Sequence, residues 1–160
     1  MFLLLKDLQR ARSEIALPRR APTGSLALRH VDAGSCNGCE HELNAATNPY
    51  YDLQRYGLSI VASPRHADVL LVTGQITTRM AEPLRRAYEA MPEPRLVAAL
   101  GDCPMGCSIL GDPAQHAGPL ERIVPVDLRI PGCPPTPSRI AEALIGLMDR
   151  ASMPRAPKSE

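Results

Sequence analysis

The chain has no tryptophan and a single phenylalanine, and aromatic residues make up only 3% of it. It therefore lacks the ring platforms on which single-strand binders stack bases. An excess of one charge is missing too: 18 Lys and Arg stand against 17 Asp and Glu, for a formal net charge of +1. That balance excludes a nucleic-acid binder working by broad attraction to phosphates. No stretch approaches the roughly 20 apolar residues of a membrane span. The apolar start Met1-Phe2-Leu3-Leu4-Leu5 is broken at once by Lys6 and Asp7, too early for a secretory apolar region. Arg19-Arg20 has no such region behind it either. There is no G-x-G-x-x-G after a strand-like run and no Walker sequence, so no nucleotide site is expected. No nucleophile stands with a recognisable base. A cytoplasmic chain is expected, whose cysteines are ligands or reduced thiols rather than disulfides.

What is present reads as one domain. A length of 160 residues supports a single core. Hydrophobic residues at 44% and charged residues at 22% fit a soluble globular chain. Residues 1–20 carry Phe2, Leu5, Leu8, Ala11 and Ile15 at helical spacing, with Lys6, Gln9, Arg10 and Arg12 opposite. This basic amphipathic helix, ending near Pro18, is expected to dock on a membrane surface or a partner's groove. Residues 21–149 are the expected domain. Its strands are predicted at Leu26–Val31, Leu58–Val61, Val69–Thr73, Leu96–Leu100 and Ile123–Leu128, the last irregular because of Pro125. Helices are predicted from about Glu40 to Ala46, through Met80, Leu84, Ala87, Tyr88 and Met91, and after a Thr136-Pro137 cap. Residues 150–160 read as a flexible tail. Apolar runs alternating with amphipathic helices imply an α/β fold, a parallel sheet with helices on its faces. Functional loops of such sheets lie beyond the C-terminal ends of the strands.

The five cysteines fall in three motifs at those ends: Ser35-Cys36-Asn37-Gly38-Cys39-Glu40, Gly101-Asp102-Cys103-Pro104-Met105-Gly106-Cys107 and Pro131-Gly132-Cys133-Pro134-Pro135. Thiolates at neighbouring strand ends can converge on one metal centre. C-x-x-C alone also serves zinc sites and thiol–disulfide enzymes. Structural zinc would normally use a second close pair, and Cys103-x-x-x-Cys107 is a loose one that leaves Cys133 without a role. Cysteine followed by proline, at 103 and 133, favours an iron–sulfur cluster.

Together the motifs resemble the small electron-transfer subunit shared by [NiFe] hydrogenases and respiratory complex I. The resemblance covers roughly residues 20–148 and includes Asp32–Glu40, Ala67–Gly74, Met80–Leu84, Gly101–Cys103 and Ile130–Pro135. It implies a flavodoxin-like three-layer domain holding one [4Fe-4S] cluster on Cys36, Cys39, Cys103 and Cys133. The complex I branch carries adjacent cysteines in its first motif. The spacing of Cys36 and Cys39 resembles instead the membrane-bound energy-converting hydrogenases and formate hydrogenlyases. The implied partners are a [NiFe] large subunit, a ferredoxin-like iron–sulfur subunit and membrane subunits, on the cytoplasmic face of the inner membrane. The implied role is an electron relay without turnover of its own.

The alternatives from these residues are a complex I-type relay to quinone and a zinc-stabilised binding module. Glu40 is expected beside the cluster, either tuning it or moving protons, or simply as an acid in the first turn of a helix. Cys107 departs from the family pattern. It is expected to be a packed small thiol, with a place beside the cluster as the sharper alternative. His41-Glu42 lacks the second histidine of a zincin motif, and His30, His66 and His116 show no ligand spacing.

Overall fold

In the computed structural model, which describes residues 24–108 and 111–151, the two most apolar runs form the centre of a sheet. These are β3 (Val69–Thr73) and β4 (Leu96–Leu100), in which every residue is buried. Beside them lie β1 (Leu26–Asp32), β2 (Leu58–Ile60) and β5 (Leu128–Ile130). The order is β2-β1-β3-β4-β5, and every neighbouring pair is parallel. This is the flavodoxin-like order, with its switch point between β1 and β3.

Successive side chains of a strand point to opposite faces, so a strand buried throughout feeds two cores. Val69, Leu71, Leu96, Ala98 and Leu100 join one, with Leu28, Leu43, Ile140 and Leu144. Leu70, Val72, Val97 and Ala99 join the other, with Leu84 and Met91. The helices α1 (Gly38–Ala46) and α3 (Pro137–Ala151) pack together on the first face. On the second lies α2 (Thr78–Glu89), which buries Leu84 completely. Each fully buried leucine contributes roughly 1.5–3 kcal/mol, so both helix layers are held by their apolar stripes. The cap of α3 is as predicted. The Thr136 carbonyl accepts the Ile140 N–H at 3.0 Å, and Pro137 takes the first helical position, where its missing N–H costs nothing.

Two boundaries differ from expectation. The fifth strand is Leu128–Ile130 rather than Ile123–Leu128. Pro125 has no N–H for a ladder, and Leu120–Arg122 winds into a short 3₁₀ turn whose Leu120 carbonyl takes the N–H groups of Ile123 and Val124. The apolar Val124 is buried from a loop, without being part of a strand. The first helix starts at Gly38, not Glu40. The expected helix over residues 1–20 and all but the first two residues of the tail expected over 150–160 lie outside the described residues.

Candidate cysteine site

At the end of β1, Asp32 Oδ1 accepts the N–H groups of Gly34 and Ser35, each at 2.8 Å. This Asx-type turn swings the chain over the switch point. Ser35 Oγ accepts the Asn37 N–H at 3.1 Å. Asn37, with φ +67°, is the residue from which α1 starts. An asparagine tolerates that left-handed conformation better than most residues. Cys36 is thereby left exposed in the loop, while Cys39 enters the first turn of α1 and is buried, 9% exposed.

The second motif follows β4. Gly101, with φ +91°, leads through Asp102 to a 3₁₀ turn at Cys103–Met105. A Cβ at Gly101 would lie 2.5 Å from Cys39 Sγ, so only glycine allows the end of β4 to pack against that thiol. The third motif follows β5: Pro131, Gly132 and then the exposed Cys133, whose peptide bond to Pro134 is cis. A Cβ at Gly38 would lie 3.5 Å from Cys36 Sγ and 3.9 Å from Pro134, so the first and third motifs are neighbours too.

Electrostatics tie the motifs together. The Cys39 thiol is pushed up to about 12, first by burial, then by the negative charges of Glu40, Cys103, Cys36 and Cys133. Cys103 is also raised, first by burial, against a lowering hydrogen bond from Ser108, and further by Cys133, Cys36 and Asp102. The cysteines of the three motifs thus lie close enough for a charge on one to bear on Cys39 and Cys103. Cys107 follows the Gly106 that ends the 3₁₀ turn. It is exposed, which corrects the expectation of a packed thiol. Its place in the chain is fixed by backbone, since its N–H reaches the Asp102 carbonyl at 3.2 Å.

A tetrahedral zinc would draw its sulfurs to within about 3.8 Å of one another, given Zn–S of ~2.3 Å. Among the described residues no three Cys, His, Asp or Glu side chains gather closely enough to hold a single ion. Four soft thiolates suit a cluster whose irons each take one thiolate. The cysteines present are thus of a kind that could hold an iron–sulfur centre.

Beneath Cys39 lies a polar relay that the sequence did not reveal. His30 Nε2 is 2.8 Å from Thr73 Oγ1, and the Thr73 hydroxyl donates to Glu40 Oε1. With that hydroxyl committed to the carboxylate, the His30 ring donates to it. Thr73 is completely buried, and burial holds the His30 pKa below its usual value despite the nearby Glu40. Glu40 is in the first turn of α1, where an acid is favoured. Its second oxygen is buried with no hydrogen-bond partner among the described residues. On the far side of Cys103, Gln75, Ile76, Ser108 and His116 line a cavity of about 110 Å³. Gln75 thus stands near the site, as the loop after β3 allows, while His41 is exposed.

The family profile described as NADH ubiquinone oxidoreductase, 20 Kd subunit, matches residues 36–147. The chain is 46% identical to the probable membrane-bound hydrogenase subunit mbhJ of Pyrococcus furiosus, over 76% of this chain and 72% of that one. It is 42% identical to formate hydrogenlyase subunit 7 of Escherichia coli, over 79% of this chain and 51% of that one. Among solved structures it resembles a chain of the membrane-bound sulfane sulfur reductase, an archaeal respiratory membrane complex. That likeness has a TM-score of 0.66 and 30% identity, and covers 80% of this chain and 72% of the other.

Proposed function

The chain belongs to the family of the 20 kDa subunit of NADH ubiquinone oxidoreductase, and on that premise we propose that it is the electron-relay subunit of a membrane-associated hydrogenase-type complex. One [4Fe-4S] cluster would be held by Cys36, Cys39, Cys103 and Cys133. The observation that carries this reading is the gathering of three cysteine loops at one end of the sheet, where a Cβ at Gly101 would lie 2.5 Å from Cys39 Sγ and one at Gly38 would lie 3.5 Å from Cys36 Sγ and 3.9 Å from Pro134. When bound, such a cluster accepts and releases single electrons at a potential set by burial and hydrogen bonding.

The chain's own residues divide the work. Buried Cys39 holds the inner side against Gly101 and keeps water from that face. Exposed Cys36 and Cys133 hold the outer side, which leaves the centre open to a partner. That partner is the [NiFe] large subunit, docked on the Cys36–Glu40 face. A ferredoxin-like subunit exchanges the electrons, and membrane subunits anchor the assembly on the cytoplasmic face. No helix among the described residues is long and apolar enough to cross a membrane; residues 1–20 are the proposed docking segment toward the other subunits. Alone, the chain is expected to have no turnover.

Iron and acid-labile sulfide analysis of the full chain, purified anaerobically by itself, tests this, with about four of each expected per chain. Low-temperature electron paramagnetic resonance should show a cluster signal on reduction. One zinc and no sulfide would replace the relay by the zinc-stabilised binding module. A second reading, relay within a complex that reduces sulfane sulfur and has no hydrogen-handling nickel site, takes its motive from the name of the sulfane sulfur reductase that the chain resembles. Nickel analysis of the intact complex separates the two. A relay to quinone is the weaker reading, because Cys36 and Cys39 are not adjacent.

A further inference from the structure

Resting on that ligand assignment, we infer that Asp102 is the positioning residue that sets the spacing of Cys103 and Cys133. Asp102 immediately precedes one of these cysteines and Gly132 the other. The Asp102 N–H donates to the Gly132 carbonyl at 3.0 Å, and the Gly132 N–H donates to Asp102 Oδ1 at 2.8 Å. The two residues therefore close a ring with one backbone bond and one carboxylate bond. The ring begins where the ladder between β4 and β5 fails. That ladder pairs Leu100 with Ile130 and adds one bond from the Gly101 N–H to the Ile130 carbonyl at 2.9 Å. Pro131 then offers no N–H. Past that point the carboxylate of Asp102 serves as the acceptor that aligned backbone would otherwise provide.

The same aspartate fixes its own turn. Its carbonyl accepts the N–H groups of Met105 and Cys107, each at 3.2 Å. Gly132 cannot be replaced on the other side, since at φ +145° a Cβ there would sit 2.6 Å from Pro135 Cα. A carboxylate-assisted bond is stronger than a neutral one, and the residues that orient metal ligands hold them in the geometry the centre requires. Asp102 also places a negative charge beside Cys103, and that charge opposes addition of an electron to the centre.

The same reciprocal ring occurs twice at the opposite end of the sheet. Asp68 pairs with Ala27 through bonds of 2.8 Å and 2.8 Å, and Asp127 pairs with Val97 through bonds of 2.9 Å and 2.9 Å. Neither of these touches the cysteine motifs, so Asp127→Ala is a matched control for losing one ring.

The experiment compares Asp102→Ala, Asp102→Asn and Asp127→Ala in the full chain, purified by itself without oxygen. Iron and sulfide content, the rate of iron extraction by a chelator, and the midpoint potential are read. Asp102→Ala is expected to lose iron roughly 10- to 100-fold faster, while Asp127→Ala extracts at the wild-type rate. Asp102→Asn keeps the Oδ1 acceptor without the charge. It is expected to restore slow extraction yet raise the potential. Equal iron loss in Asp102→Ala and Asp127→Ala, an unchanged rate in Asp102→Ala, or no rescue by asparagine would each overturn the inference. If the wild-type chain holds no iron and sulfide, the ligand assignment itself fails and the inference with it. If wild type is loaded and Asp102→Ala is indistinguishable from it, only the role of Asp102 falls.

Discussion

The two ends of the sheet use one device for different purposes. At the N-terminal end, Asp68 and Asp127 each join two strands before their regular pairing begins. They tie the starts of β1 and β4 to neighbouring chain and bear on the fold alone. At the C-terminal end, Asp102 makes the same pair of bonds, but it leads directly into a cysteine turn. Asp32 there bends the chain toward Cys36. An aspartate–backbone ring is thus neutral as to purpose. Its place relative to the strand ends decides whether it stabilises or positions.

The sharpest break of this comparison comes from the thiols themselves. Cys39→Ser or Cys103→Ser should remove nearly all iron bound by the purified full chain, as judged by metal analysis and visible absorbance. Cys107→Ser, an equally small change on an exposed residue, should leave both unchanged. Loss of iron from the Cys107 variant would add a ligand from outside the four-thiol group.

The next effect is in the polar relay below Cys39. Thr73→Val keeps the shape of a fully buried side chain but leaves His30 and Glu40 without their shared hydroxyl. Stability should fall by about 1–3 kcal/mol, measured by denaturant unfolding. A loss below about 0.5 kcal/mol would indicate that His30 Nε2 and Glu40 Oε1, 3.6 Å apart, close directly on each other. At the other end, Asp127→Ala removes one acceptor at an exposed position and should cost about 1 kcal/mol, with iron content untouched. An effect on iron there would dissolve the distinction between the two ends.

Legibility in the sequence tracks the range of the interactions. The strands Val69–Thr73 and Leu96–Leu100 coincide with their apolar runs, because both faces are buried and each run is flanked by polar residues or glycine. The Thr136-Pro137 cap is local chemistry and is legible for the same reason. The fifth strand is misplaced by sequence pattern because Val124 and Val126 are as apolar as strand residues, while the missing donor of Pro125 and the Asp127 ring decide where pairing starts. The start of α1 depends on one left-handed asparagine. In the site, the cysteines announce themselves by motif. The partners of Asp102 and Glu40 do not, because they lie 30 and 33 positions away in the chain. Spacing has no access to contacts that the strand order creates.

The smallest expected effect is a pH dependence confined to the C-terminal end. Burial lowers the pKa of His30 below its ordinary value of 6.5, and the attraction of Glu40 and Asp32 only partly offsets this. In the unfolded chain the same ring protonates near 6.5. The unfolded state therefore binds more protons as pH falls through that value, and folding stability declines with it. The stability linked to His30 is fully present above about pH 6.5. It is lost progressively as pH falls toward the lower folded-state pKa. Denaturant unfolding of wild type and His30→Gln across pH 5–8 reads the difference. The variant should show a flatter acid limb, because glutamine can still donate to Thr73 but takes up no proton. An equally steep limb in the variant would shift the acid sensitivity to other groups and leave His30 as a hydrogen-bond donor only.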